Sequence, residues 1–238
     1  VTIAGHFAGT AVEQIVADGV TCNLVTGLVG GATHDVVVGT ASAEQMDGRD
    51  GNDYLFGYAG NDILYGGAGD DSLSGGDGVD RLVGGTGGDT LSAGDGADVL
   101  VGQLGDDTLN GGAGADFLAG DSGNDTMNGD ADNDTLYGGG GNDVMDGGAG
   151  NDRLKGGEGD DTVDGGAGTD TVAYGSISDG VIINLTDAAM DVTVNDGAGG
   201  TTVNLAAGAV IDAVTVGART ANTQHADNDT LANVETIV

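Results

Sequence analysis

The chain has no proline, no tryptophan and one cysteine, and its aromatic residues are five tyrosines and three phenylalanines in 238. So few large side chains cannot fill the thick core of an ordinary globule of this length. The lone Cys22 excludes an intramolecular disulfide framework and reads as a buried free thiol. Basic residues are also scarce, with 5 Lys and Arg against 39 Asp and Glu, a net charge of −34. Nucleic acid and acidic membranes are poor partners for such a surface. Without cations, a chain of this charge repels itself toward disorder. No apolar run approaches the ~18–20 residues that a membrane-spanning helix needs. Neither a start methionine nor a basic n-region precedes Val1, so no signal peptide is visible and the sequence reads as a fragment of something longer.

Catalytic signatures are missing too. There is no HExxH and no GxSxG, so the chain reads as non-enzymatic, although a parent region outside it could carry an activity. His6, His34 and His225 are far apart and read as incidental surface residues. The Asn-x-Thr sequons at Asn124, Asn133, Asn184 and Asn228 read as by-products of repetition.

What the chain has in excess is glycine, 51 residues of it, and most of it is periodic. From Gly48 to Ala173 a nine-residue unit recurs fourteen times without insertion or deletion. Its fullest forms, Gly66–Ser74 (GGAGDDSLS) and Gly147–Lys155 (GGAGNDRLK), read Gly-Gly-x-Gly-x-Asp-x-aliphatic-x. The sixth position is aspartate in every copy: Asp53, Asp62, Asp71, Asp80, Asp89, Asp98, Asp107, Asp116, Asp125, Asp134, Asp143, Asp152, Asp161 and Asp170. The eighth is always aliphatic, from Leu55 to Val172. Position one departs from glycine only at Ala93 and position four only at Asp132. Position two is less strict, with Arg49, Tyr58, Gln103, Asp121 and Asp130.

Nine residues make one turn and one short strand. Positions seven to nine read as a strand of about three residues whose alternation sends only position eight inward. Positions one to six read as a glycine turn with left-handed dihedrals. Two units close a coil of eighteen residues, so successive copies fall on opposite sheets. One sheet then presents Leu55, Leu73, Leu91, Leu109, Met127, Met145 and Val163 inward, and the other Leu64, Leu82, Leu100, Leu118, Leu136, Leu154 and Val172. This double file is too thin to offset the backbone entropy of so many glycines.

The position-six aspartates supply the missing stabilisation once they meet a cation. Coils stack ~4.8 Å apart, which turns seven alternate aspartates into one carboxylate column and the other seven into a second. Bare carboxylates at that spacing repel, and a hard dication between coils relieves them while taking carbonyls from the turns. Calcium accepts six to eight oxygens in loose geometry, whereas magnesium demands a tight octahedron and zinc prefers His and Cys. Six gaps in each column give about twelve Ca2+. Residues 48–173 hold 26 acidic and 4 basic side chains, and twelve Ca2+ bring +24 against that −22. Turn preference alone would scatter Asn, Asp and Ser rather than fix one residue type at one position. Asp106, at position five, reads as an acid outside the ligand set, and its removal as nearly silent.

Three segments follow. Residues 1–29 alternate apolar and polar positions and form a β-rich flank; residues 30–173 form the repeat solenoid; residues 174–238 return to strand-like alternation as a β-rich cap or linker. Within the solenoid, 30–47 are worn copies that keep Asp35 or Glu44 at position six but lose the position-four glycine to Thr33 and Ser42. Degenerate end copies are expected of solenoids, and these two offer two further metal positions. A late echo, AspAsnAspThrLeu at 227–231, restores half of the motif.

On these residues the chain resembles the RTX (repeats-in-toxin), haemolysin-type calcium-binding proteins, with the specific match over 48–173. That resemblance implies an all-β, right-handed parallel β-roll, two turns-plus-strands per coil, with Ca2+ held by position-six aspartates and turn carbonyls. It further implies export by type I secretion machinery, hence a secreted or cell-surface location. The stretch at 3–20 is similar to a module that accompanies such repeats, and the tail resembles linker strands between repeat blocks. Three functions stay open: an extracellular calcium-binding module that folds on meeting Ca2+, the non-catalytic C-terminal part of a secreted RTX hydrolase, and a spacer segment of a surface-layer or adhesin protein.

Overall fold

Every inward aliphatic residue sits opposite its counterpart eighteen residues away. The structure, a computed structural model, describes residues 28–172 and, as backbone only, the strands Glu13–Ala17, Val20–Val25, Val181–Asn184, Ala189–Val194 and Thr201–Leu205. His6, His225 and the echo at 227–231 lie outside the described residues. One parallel sheet stacks Val37, Leu55, Leu73, Leu91, Leu109, Met127, Met145 and Val163 in register. The other stacks Met46, Leu64, Leu82, Leu100, Leu118, Leu136, Leu154 and Val172. All are fully buried and form one continuous core. The result is an all-β solenoid of about eight turns, with no helix among the described residues.

Strands prove longer than the repeat suggests. Most run six residues, as in Tyr54–Ala59 and Thr108–Ala113, from position seven through position three of the next copy. Pairing skips position one and resumes at two and three: Asn110 faces Ser92, then Gly112 faces Gly94. The turn is therefore only positions four to six. Parallel pairing explains the extension, because stacked coils keep identical backbone paths and the ladder continues wherever the amides still align. The kink at position one is followed by a left-handed residue at position two, a bulge-like arrangement.

Left-handed backbone at position two accounts for the worn glycines. Arg49, Tyr58, Gln103, Asp121 and Asp130 hold φ between 70° and 82°, and Asp132 at position four holds φ 77°. These six are the non-glycine residues at positive φ among those described, and each stands where the repeat lost a glycine. Such a conformation costs a side-chain-bearing residue roughly 1–2 kcal/mol, so the stacked coil, not local preference, sets the backbone there.

Both ends of the stack are closed by antiparallel pairs. Glu13–Ala17 runs antiparallel to Val20–Val25, which then pairs in parallel with Asp35–Val38. At the far end Ala189–Val194 stacks on Ala167–Tyr174 and is covered by antiparallel Thr201–Leu205. Turning the chain back on itself limits the open strand edge that a parallel stack would otherwise present.

Candidate metal centre

Position six lies at the end of the three-residue turn, where the chain re-enters the sheet, and its side chain turns under the coil. All fourteen aspartates from Asp53 to Asp170 are buried, at 1–3 % exposure. Burying a carboxylate demands compensation, and half of it is visible. Oδ1 accepts the backbone N–H of the position-six residue one coil earlier: Asp53 N–H reaches Asp71 Oδ1 at 2.7 Å, Asp71 N–H reaches Asp89 at 2.8 Å, and Asp98 N–H reaches Asp116 at 2.8 Å. The two columns expected from the eighteen-residue spacing are thus joined coil to coil by the backbone.

The other oxygen is left over. Oδ2 of every position-six aspartate from Asp53 to Asp152, and of Asp170, is buried without a hydrogen-bond partner. These oxygens face position one of their own repeat where it is glycine, as at Gly48, Gly57 and Gly66; Ala93 stands there in the repeat of Asp98. A Cβ placed on Gly48 would stand 2.6 Å from Asp53 Oδ2 and 2.5 Å from the carbonyl oxygen of Gly66 in the next coil. One on Gly57 would stand 2.5 Å from Asp62 Oδ2 and 2.6 Å from the Gly75 carbonyl. Position one is thus glycine for want of space, since none of the position-one glycines has positive φ. Two acceptors share that space with no donor between them.

Electrostatics agree. Burial is the largest influence on these carboxyls and pushes them up, partly offset by the N–H bond from the preceding coil. Asp53, Asp89 and Asp134 rise to about 7, and Asp71, Asp107, Asp125 and Asp143 to about 6. Column neighbours add repulsion, Asp71 on Asp53 and Asp125 on Asp107. Burial and column repulsion thus disfavour the charged form, and a cation between the coils would favour it.

Calcium fits this donor set. No three His, Cys, Asp or Glu side chains converge on one point among the described residues, so the side chains alone make no cage. Carboxylate oxygens paired with backbone carbonyls are what a hard, loosely coordinated cation takes. The residues that would hold it are the position-six aspartates, with the position-one carbonyls of the next coil.

The worn copies differ. Asp35 N–H and Glu44 N–H donate to Asp53 Oδ1 and Asp62 Oδ1, both at 2.7 Å, so they continue the columns. Their own carboxylates, however, are satisfied internally. Gly31 N–H donates to Asp35 Oδ2 at 2.5 Å, and Thr40 donates to Glu44 from its N–H at 2.9 Å and from its hydroxyl. They close the columns rather than leave acceptors open.

A second ladder, at position five, escaped the reading of the repeat. Asp106 Oδ1 accepts from Asn124 N–H at 2.7 Å, Asn124 Oδ1 from Asn142 N–H at 2.9 Å, and Asn142 Oδ1 from Asp160 N–H at 2.8 Å. His34 joins the same file, with Asn52 N–H donating to its Nδ1 at 2.9 Å. Asp106 is therefore a turn cap, and the expectation that its loss is silent needs correcting. Asn and Asp enrichment at position five was a detectable signal, masked by Gly88 in the same file and by Val79, Ala97 and Ala115 in the other.

A parallel β-roll that stacks buried, half-satisfied carboxylates along two files defines a metal-binding solenoid. The chain belongs to the RTX calcium-binding nonapeptide repeat family, whose model matches it in overlapping runs from residues 28–55 through 74–109 and 101–136 to 137–172, over half of its length. Calcium is the ion these repeats bind. No curated protein matches the sequence.

Proposed function

We propose that this chain is an extracellular module that binds about twelve calcium ions between successive coils and folds as it does so, after export. The observation that carries the reading is the file of buried Oδ2 atoms without donors, most of them beside a carbonyl of the next coil. A metal-free roll would hold those carboxylates beside one another at neutral pH, around a core one aliphatic residue deep per strand. Folding and metal binding are then one equilibrium. Extracellular calcium modules bind at roughly 10⁻⁴–10⁻³ M, which keeps such a chain unfolded in a calcium-poor cytosol and folds it outside. Type I secretion suits that sequence of events, and family membership supports it. The internally bonded Asp35 and Glu44 support twelve ions rather than fourteen.

Circular dichroism in EGTA and then in millimolar CaCl2 tests the coupling: a disordered spectrum should become β-rich, and a folded metal-free spectrum at neutral pH would overturn it. Ion counting on the folded protein tests the stoichiometry, and fewer than six ions would contradict it.

A further inference from the structure

One turn of the roll departs from the rest at two positions. Asp130 and Asp132, at positions two and four of residues 129–134, hold φ 70° and 77°. Among the described turns, this is the one in which two side-chain-bearing residues take left-handed backbone. Both are exposed acids. Strained residues gather where a ligand is clamped, and the turn around these two keeps its bonding. Asp116 N–H reaches Asp134 Oδ1 and Asp134 N–H reaches Asp152 Oδ1, both at 2.8 Å. Asp116 and Asp134 are 3 % and 1 % exposed, each with an unpartnered Oδ2.

Those oxygens set the turn between two gaps of its file. A Cβ on Gly111 would stand 2.5 Å from Asp116 Oδ2 and 2.9 Å from the Gly129 carbonyl. One on Gly129 would stand 2.4 Å from Asp134 Oδ2 and 2.5 Å from the Gly147 carbonyl. Residues 129–134 thus offer a carbonyl to one gap and a carboxylate to the next. The neighbouring turns of the file, 111–116 and 147–152, hold no acid besides Asp116 and Asp152. Burial is the main cause that lifts Asp116 to about 6 and Asp134 to about 7. After the column neighbours, Asp132 adds repulsion on both and Asp130 on Asp116. Charge that repels these carboxylates attracts a dication, and does so in proportion to its double charge. One other turn, 156–161, holds two further acids, Glu158 and Asp160. Lys155 directly precedes it, and the register sets Val181 rather than an acid beside Asp161, so it borders one gap instead of two.

We propose that Asp130 and Asp132 make the two gaps beside Asp134 the first in the roll to take calcium, so that ordering starts there. Coupling between neighbouring coils then carries it outward. The two acids act through charge, and the ligands remain the position-six aspartates and the turn carbonyls. This rests on the reading of the chain as a roll that folds on calcium, and adds where that folding begins.

Hydrogen–deuterium exchange of the full chain, read by mass spectrometry at calcium levels below the folding midpoint, tests the proposal. Amides of Thr126–Ala131 and Thr135–Gly140 should gain protection at lower calcium than those of Tyr54–Ala59 or Asp161–Asp164. Asp130→Asn with Asp132→Asn keeps residues that tolerate left-handed backbone and removes both charges. Early protection at 126–140 should then vanish, and the calcium midpoint should rise roughly threefold or more at low salt and less at about 0.5 M NaCl. Glu158→Gln with Asp160→Asn, matched in charge, should leave the early protection in place. Uniform onset in the unaltered chain, or first protection at either end of the roll, overturns the proposal. So does an asparagine pair that keeps the early protection, or a matched pair that abolishes it equally. A chain that gains no protection from calcium anywhere would overturn the underlying reading, and the proposal with it.

Discussion

The backbone N–H of Asp89 donates to Oδ1 of Asp107 at 2.7 Å, across one coil of the roll. Asp107 in turn donates its own N–H to Asp125 Oδ1 at 2.8 Å. One carboxylate thus has two separable tasks: Oδ1 fastens the coil below, and Oδ2 waits for a cation.

Substitutions at Asp107 separate those tasks. Asp107→Asn keeps an acceptor for Asp89 and removes the charge that repels Asp125, so the metal-free chain should gain residual structure while the calcium midpoint rises several-fold. Asp107→Ala loses both, leaves a buried N–H unpaired at a cost of about 1–3 kcal/mol, and should raise the midpoint further and lower cooperativity. Asp53→Ala, near the end of the stack, should be milder, because coupling in a solenoid runs between neighbours. Calcium titrations followed by circular dichroism give the order. Identical behaviour of Asp107→Asn and Asp107→Ala would remove Oδ1 from the account.

Acidity should act oppositely on the metal-free and calcium-bound chains. Burial raises the carboxyls of Asp71 and Asp89 from 3.8 to about 6 and about 7 in the folded roll, so the fold binds protons more tightly than the unfolded chain does. Stability from that source is fully present below about pH 4 and is lost as pH rises through about 6–7. In EGTA, the β signal should therefore be stronger at about pH 5 than at about pH 8. Calcium competes with those protons, so its midpoint should rise as pH falls through the same window. A metal-free β signal that grows with pH would contradict the assignment of the buried carboxyls.

Position one tests the space beside Oδ2. Gly66→Ala would bring a methyl onto Asp71 Oδ2 and within 2.6 Å of the Gly84 carbonyl, an overpacking cost of about 1–3 kcal/mol, and should raise the calcium midpoint. Ala93 already carries that methyl, fully buried, beside Asp98. Ala93→Gly should lower the midpoint, against the ordinary expectation that glycine weakens a strand. Unchanged titrations for both variants would free position one from any role in binding.

Position five distinguishes a cap from a ligand. Asp106→Asn keeps the acceptor for Asn124 N–H and relieves repulsion on Asp107, so its calcium midpoint should match or fall slightly below that of the unaltered chain. Asp106→Ala should cost about 1 kcal/mol of coil stability. Were Asp106→Asn as damaging as Asp107→Asn, position five would belong among the ligands.

Period and chemistry were both legible in the sequence. Spacing of nine put Leu73 and Leu91 in one file and Leu64 and Leu82 in the other, because two units close a coil, and the register bears this out. Asp53 to Asp170 stood out since no turn preference fixes one residue type fourteen times, and the structure buries each of them. Tertiary stacking decided what a linear reading could not reach. It extended pairing to Gly112 and Ala113 and forced Tyr58 and Gln103 into left-handed backbone. It also gave Asp106 a partner eighteen residues away and let Gly31 and Thr40 close off Asp35 and Glu44. It gathered Tyr65, Val101 and Phe117, scattered through three coils, onto a single face. Each of these depends on which atoms lie one coil above, and the periodic sequence fixes the spacing between coils but not the partners that each position finds there.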